Sequence, residues 1–325
     1  MLITFIISSA LLTLITLAPL LPSNHWTVRV WEFPRLQIVF LILINMLLMA
    51  LLIAQDLGPF LALVIVNLCL LCYQINWIFP YTPFANTTVK MSKSSDLSSR
   101  IKVINVNVLM SNRDAHKLIA LVEQHQPHLL VTLESNQWWQ DALEPLHDAY
   151  PYRVNYPLDN LYGMHLFSRI PLSDITTAER VEQGVPSIHC IANLQNGKQI
   201  QCHFLHPAPP SPTENEESTE RDIELLGLAR EIANKQGSDS LPVLVSGDLN
   251  DVAWSPTTQA FLRISGLQDP RIGRGAYNTF HAQYAFARWP LDHIFHSEHF
   301  ELVSLSRLSE IGSDHFPLLT EIHLK

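Results

Sequence analysis

Apolar runs in the last two-thirds of this 325-residue chain keep ending in groups that can hold an ion or move a proton. Asn107 closes IKVINVN, Glu134 closes HLLVTLE, His206 closes QCHFLH, and Asp248 and Asn250 close LPVLVSGDLN. Asp292 lies in PLDHIF, and Asp314 and His315 come just after EIGS. Carboxylate and amide oxygens, with no Cys or multi-His ligand set among them, suit a hard cation such as Mg2+ or Mn2+ better than zinc. An imidazole titrates near neutral pH and can take a proton from water. Each of these residues alone reads most simply as a solvated loop residue. Their common place at strand ends marks them, because a rigid core fixes where such side chains point.

Nine strand-like runs would carry these groups: IKVINVNV, HLLVTLE, HLFSRIPL, SIHCIANL, KQIQCHFLH, LPVLVSGDLN, LDHIFHS, FELVSLSRL and PLLTEIHL. Helical spacing is rarer. It predicts helices over about Arg113 to Gln124, Gln137 to Leu146, and Asn215 to Ala233, the last with Ile223, Leu226, Ala229 and Ala233 on its apolar face. Many strands with few helices over this length fit an α/β domain of two packed sheets with helices on the outer faces. Asn196-Gly197 reads as a hairpin turn that brings Cys190 and Cys202 together, as buried thiols or, in an oxidising compartment, as a pair.

The series NVNV, LLVTLES, FLHPAPP, VSGDLND, PLDHIF and GSDHFPL resembles the motifs of the endonuclease/exonuclease/phosphatase superfamily, in order and over nearly all of 101–325. GDLN and SDH in this order are the specific part. The resemblance, to a membrane-anchored bacterial-type member, implies a four-layer α/β sandwich with the site at the top of two mixed sheets. It implies Glu134 and Asp314 as ligands of Mg2+ or Mn2+, with Asn107 supporting. His315 becomes the general base, oriented by Asp292, and Asp248 positions the attacking water. Asn250 donates to the phosphate, and His206 binds a phosphoryl oxygen or protonates the leaving group. Asn105 would share a strand face with Asn107, which leaves open which of the two belongs to the site.

Other chemistries lack their motifs: there is no G-x-S-x-G elbow, Walker A or G-x-G-x-x-G. His203 and His206 would face opposite sides of a strand and so do not form a ligand pair. Arg221 reads as a helix-surface residue in preference to one that supports the site from behind, the acidic TENEESTE at 213–220 as a solvated loop, and Tyr162, Gly163, Ser168 and Arg169 as core without chemistry.

The first 80 residues belong to a different solvent. Leu2 to Leu21, Leu36 to Ala54 and Phe60 to Phe79 are uncharged and about long enough to span a bilayer, with Trp26, Trp31, Trp77 and Tyr81 near their ends. Three spans predict a multi-pass inner or plasma membrane protein. Arg29 and Arg35 precede the second span, and Lys90, Lys93 and Arg100 follow the third, so charge bias places the catalytic domain in the cytoplasm, with the periplasm as the alternative. Residues 1–80 are thus expected as an anchor, 81–100 as a linker, and 101–325 as the catalytic domain.

From Ile101 onward 16 Lys and Arg face 27 Asp and Glu, a net charge of −11. An acidic surface is a poor general binder of polyanions. The sequence therefore predicts a metal-dependent phosphoesterase, acting on a lipid headgroup, a small molecule or nucleic acid, with membrane lipid as its surroundings. The contrasting reading is a catalytically silent binding domain held at a membrane.

Overall fold

A computed structural model describes residues 2–52, 58–235, 237 and 240–325. Ala54, the expected end of the second apolar stretch, lies outside them. The chain begins with α1 (Leu2–Leu17), a short α2 (Trp26–Arg29), α3 (Arg35–Leu52) and α4 (Gly58–Ile78). Three of these helices are long and apolar enough to cross a membrane.

Their packing buries polar groups beside two apolar clusters, one of Leu12, Ile38, Ile42 and Leu70 and one of Phe5, Met49 and Phe60, and leaves apolar side chains outside. Ile7, Leu14, Phe40, Leu47 and Leu61 are exposed. Between the helices, Asn45 Nδ2 donates to Ser9 Oγ and to Asn67 Oδ1, each at 3.1 Å, and Gln74 Nε2 donates to Thr16 Oγ1 at 3.2 Å. Arg35 Nη1 donates to Gln74 Oε1 at 3.0 Å. Interhelical hydrogen bonds inside an apolar jacket suit hydrocarbon surroundings, where association gains nothing from burying more leucine.

The remainder folds as β1 (Arg100–Asn107), α5 (Ala115–His125), β2 (Leu129–Leu133), α6 (Gln137–Ala142), β3 (Tyr152–Tyr156), β4 (Met164–Ser168), β5 (Leu172–Ala178), β6 (Ser187–Asn193) and β7 (Gln199–Leu205). There follow α7 (Thr219–Lys235), β8 (Val243–Asp248), α8 (Pro256–Ser265), β9 (Asp292–His296), β10 (Phe300–Arg307) and β11 (Leu318–Leu324). One sheet runs β10-β11-β1-β2-β4-β3 and the other β5-β6-β7-β8-β9. Each is mixed, since β1 pairs parallel with β2 and β7 with β8.

Strand alternation builds the layers. Val103, Val131, Leu166, Phe204, Leu244 and Ile294 meet between the sheets. The opposite faces, with Ile104, Val106 and Leu130 on one sheet and Val243, Val245 and Phe295 on the other, bury Leu118 of α5 and Leu225 and Phe261 of α7 and α8. The result is the expected four-layer α/β sandwich, with helices on both outer faces.

Three elements add to the sequence reading: the edge strand β3, the strand β5 and the helix α8. The buried face of α7 also differs from the expected one. Ile223 is exposed, while Arg221, Leu225, Leu228 and Ile232 are buried. Burying Arg221 turns the helix, because its guanidinium reaches carboxylates and a carbonyl beneath.

Residues 82–99 hold no helix or strand, yet they are fastened along the domain. Leu302 N–H donates to the Lys90 carbonyl at 2.9 Å, Ser92 N–H to the Leu302 carbonyl at 2.7 Å, and Leu324 N–H to the Ser99 carbonyl at 2.8 Å. Cys190 and Cys202 stand directly opposite each other on β6 and β7, both buried and both free thiols.

Candidate active site

Period-two alternation sends Asn105 and Asn107 of β1 to the same intersheet face as Ile101 and Val103. Asp248 of β8 and Asp292 of β9 reach that face from the other sheet, opposite each other in register. Glu134 follows β2 and by alternation would face α5. Its φ of 55° turns it to the intersheet rim instead, a conformation uncommon for a non-glycine residue. Gly247 has no room for a side chain: a Cβ there would lie 1.9 Å from the Leu205 carbonyl oxygen, so its absence lets β7 and β8 approach under the site.

All eight expected residues converge at this rim. His315 Nδ1 is 2.7 Å from Asp292 Oδ2, and His315 Nε2 is 3.5 Å from Asp248 Oδ2. Asn107 Nδ2 donates to Glu134 Oε1 at 2.7 Å and to Asp248 Oδ2 at 3.2 Å. Asn105 Nδ2 donates to Asp292 Oδ1 at 2.9 Å, so both asparagines reach the site with different partners. Ser313 Oγ donates to the Asn107 carbonyl at 2.8 Å and accepts from His315 N–H at 3.0 Å, joining β1 to the SDH turn. Asn250, with φ 50°, donates from its side chain to the Pro207 carbonyl at 3.0 Å. His206 Nε2 lies 3.8 Å from Asp248 Oδ2, and its ring packs 5.4 Å from that of Tyr162.

A cavity of about 380 Å³ opens over these groups. Glu134, Asp248, Asn250, Asp314 and His315 line it, whereas Asn107, Asp292 and His206 stand behind them. Trp26, Val30 and Phe33, from the connector between α1 and α3, line the cavity as well. Sequence reasoning gave this connector no part in the site. It is fastened there by Trp26 N–H donating to the Glu216 carbonyl at 2.9 Å, by Ser218 N–H donating to the Asn24 carbonyl at 2.9 Å, and by Trp254 Nε1 donating to the Glu32 carbonyl at 2.9 Å. The acidic stretch read as a solvated loop is therefore half of a docking seam.

Arg221 is corrected as well: it is 1% exposed, with Nη1 donating to the Asn250 carbonyl at 2.8 Å and 3.5 Å from Asp251 Oδ1. It braces the turn after Asp248. The Phe280 ring, 5.0 Å from that of His315, is a further contact with no sequence signal.

Burial pushes the Glu134 carboxyl up to about 7 against the opposing pull of Asn107 and His315, with Asp314 and Asp248 adding to the rise. Burial also raises Asp248 and holds His206 down at about 4. Burial opposes charge on His315 too, but Asp248, Asp292 and Asp314 outweigh it and hold the imidazole up at about 10. Among the described residues lining the cavity there is no Lys or Arg. Clustered carboxylates with hard oxygen donors and no Lys or Arg among them fit a divalent cation. An imidazole held so basic needs that negative charge shared before it can accept a proton near neutrality.

A four-layer sandwich with an acidic rim and an Asp-paired imidazole defines a phosphoester-hydrolase class of site. Residues 104–315 match the Endonuclease/Exonuclease/phosphatase family, and the chain belongs to that family. Its members are metal-dependent phosphoesterases and nucleases. Among curated proteins, none matches the chain in sequence.

The fold recurs in solved structures. Humanized D. rerio TDP2 superposes with a TM-score of 0.57 at 15% identity, over 69% of this chain and 99% of that one. The human Nocturnin catalytic domain with bound sulfate gives 0.54 at 20% identity, over 71% and 96%. An endonuclease/exonuclease/phosphatase from Beutenbergia cavernae gives 0.55 at 16% identity, over 70% and 72%.

Proposed function

We propose that the protein is a membrane-anchored, divalent-metal-dependent phosphoesterase in which water attacks phosphorus directly. The observation that carries this reading is the His315–Asp292 hydrogen bond of 2.7 Å beside Glu134 and Asp314 in one acidic cavity. His315 Nδ1 is committed to Asp292, which fixes the tautomer and leaves Nε2 to take the proton of the attacking water. Asp248, 3.5 Å from Nε2, holds that water in line. Asn250 and His206 serve the phosphate oxygens or the leaving group.

Glu134 and Asp314 would hold Mg2+ or Mn2+, with Asn107 positioning Glu134; the bound ion polarises the phosphoryl oxygen and offsets charge that grows in the transition state. Donor atoms of Asp248, Asp292 and His315 also lie within 4.8 Å of one another. We assign that trio to proton transfer, because the short His315–Asp292 contact is a hydrogen bond that an ion would replace.

Membrane anchoring rests on the length and apolar composition of α1, α3 and α4. Three crossings would put the connector after α1 on the same side as the catalytic domain, and the contact between the two supports that reading. The basic residues flanking these helices favour the cytoplasmic side. One relative, D. rerio TDP2, is described with a single-strand DNA product. The net charge of −11 from Ile101 onward disfavours a long polyanion here.

The test is hydrolysis of bis-p-nitrophenyl phosphate by the full chain in detergent micelles. Turnover should require Mg2+ or Mn2+ and stop on chelation. Turnover indifferent to chelation removes the metal-dependent reading.

A further inference from the structure

The cavity that His315, Asp248 and Asp314 line is also lined by apolar residues from the membrane-proximal part of the chain, Trp26, Val30 and Phe33, of which Val30 is 43% exposed. Its lining thus combines groups suited to a phosphate with its cation and groups suited to hydrocarbon.

The apolar surface continues beyond it. Phe33 packs edge-on to Trp289 with ring centroids 5.8 Å apart, and Trp289 stacks at 6.3 Å on Phe280, the ring beside His315. The next turn of the same chain segment, Leu36 and Phe40 of α3, forms a second cavity of about 590 Å³ with Asn278, Ala285 and Phe286. The two cavities lie along one stretch of chain, Phe33 lining the first and Leu36 the second, and the loop from Asn278 to Arg288 contributes Phe280 to the first and Phe286 to the second. Phe286 is 77% exposed, and its carbonyl accepts from Gln37 Nε2 at 2.6 Å. That bond places an exposed aromatic beside the outward face of a helix long and apolar enough to cross a membrane.

From this arrangement we infer that the substrate is a membrane-resident phosphoester, with its phosphate against His315 and its hydrocarbon chain leaving along Val30 and Phe33 toward the outer face of α3. The inference rests on the phosphoesterase reading and adds the substrate class. A water-soluble phosphate ester would use only the polar groups of that lining. A nucleic acid would have to bring its charged backbone against Trp26, Val30 and Phe33. A lipid chain meets Val30 and Phe33 in the first cavity and Leu36, Val39 and Phe40 in the second, where Gln37, Asn278 and Arg288 stand among them, and each methylene moved from water to apolar surface strengthens binding by about fourfold.

Two substrates with the same leaving group test this: methyl p-nitrophenyl phosphate and dodecyl p-nitrophenyl phosphate. In both, a water oxygen bonds to phosphorus as the bond to p-nitrophenolate breaks, so they differ only in the alkyl chain. The full chain is assayed in detergent micelles with Mn2+, as wild type and as Val30→Asn and Phe286→Ser. Neither side chain is part of the buried core, and the readout is the ratio of kcat/KM for dodecyl over methyl ester on one preparation. General losses of folding or metal cancel in that ratio, and micelle partitioning is common to all three proteins.

The expected ratio for wild type is at least tenfold, falling by about fivefold or more in each variant. A wild-type ratio near one, a ratio unchanged in both variants, or faster cleavage of a single-stranded oligonucleotide overturns the inference while leaving the phosphoesterase reading intact. No turnover of any of these with Mn2+ or Mg2+ overturns the phosphoesterase reading itself.

Discussion

Asn105 donates its side-chain N–H to Asp292 Oδ1 at 2.9 Å, on the carboxylate oxygen that His315 does not use. The two β-sheets are tied together there, because Asn105 belongs to β1 and Asp292 to β9. Asp292 is fully buried, and its orientation governs where the imidazole points.

Asn105→Ala removes a hydrogen bond to a charged acceptor, an interaction worth about 1.5–3 kcal/mol. The expected outcome is a fall in kcat of roughly ten- to a hundredfold with KM nearly unchanged, since the residue acts on the base and not on the substrate. Steady-state kinetics on bis-p-nitrophenyl phosphate read this directly. An unaltered kcat would show that Asp292 holds its orientation unaided.

Glu134→Gln and Asp314→Asn each withdraw an anionic oxygen from the proposed ion site. Both should raise the Mn2+ concentration for half-maximal activity by about tenfold or more, and calorimetry of Mn2+ binding should shift alike. If Asp292→Asn weakens Mn2+ binding while Glu134→Gln leaves it untouched, the ion sits among Asp248, Asp292 and His315 instead.

Burial holds seven imidazoles among the described residues below their ordinary range: His165, His189, His206 and His296 at about 4, His203 at about 3, and His128 and His293 also down, with Arg169 and Lys102 assisting at His128 and Arg271 at His293. The unfolded chain protonates such groups from about pH 6.5 downward and the folded chain does not. Their contribution to stability is complete above that pH and is lost as pH falls toward the folded values, at about 1.4 kcal/mol per pH unit for each group. His315 works in the opposite sense, because its folded value is raised. Burial also raises Glu32, Glu134 and Glu224 to about 7, and these carboxyls gain stability as pH falls through the same window. The melting temperature should therefore fall between pH 6.5 and 4.5 by less than the imidazoles alone would give, and a profile that rises over this range by differential scanning calorimetry would contradict these assignments.

Arg221 lies between Asp251, the Asn250 carbonyl and Asp222, with Glu32 of the connector close enough to share its charge. Arg221→Met leaves the buried Asp251 carboxylate without its cation, at a cost of about 3–5 kcal/mol. Denaturant unfolding should show it. A loss below 1 kcal/mol would mean that Ser255 and Thr258, which also donate to Asp251, satisfy it alone.

Much of this architecture is legible in the sequence because the strands are apolar on both faces and end in distinctive groups. IKVINVN and LPVLVSGD carry the intersheet core and the site in one period-two pattern. β3, YRVNY, and β5, LSDITTA, escape notice because both lie at sheet edges and neither is strongly apolar. The helix α8 was signalled by Ser255 as N-cap, Pro256 at its first position and Gly266 in the left-handed region at its end, yet PTTQAFLRIS shows little apolar periodicity. The placement of Glu134 depends on a positive φ, and the burial of Arg221 on carboxylates far off in sequence. Neither is encoded locally. The connector wall of Trp26, Val30 and Phe33 follows from tertiary docking, which residue spacing alone does not reveal.

His315, oriented by Asp292, is placed to take a proton from water attacking phosphorus, and hydrolysis of bis-p-nitrophenyl phosphate at saturating Mn2+ by wild type and by His315→Ala tests this role. The variant should lose about 10²- to 10⁴-fold in kcat, with Mn2+ binding retained. Equal rates for the two proteins would rule out His315 as the base.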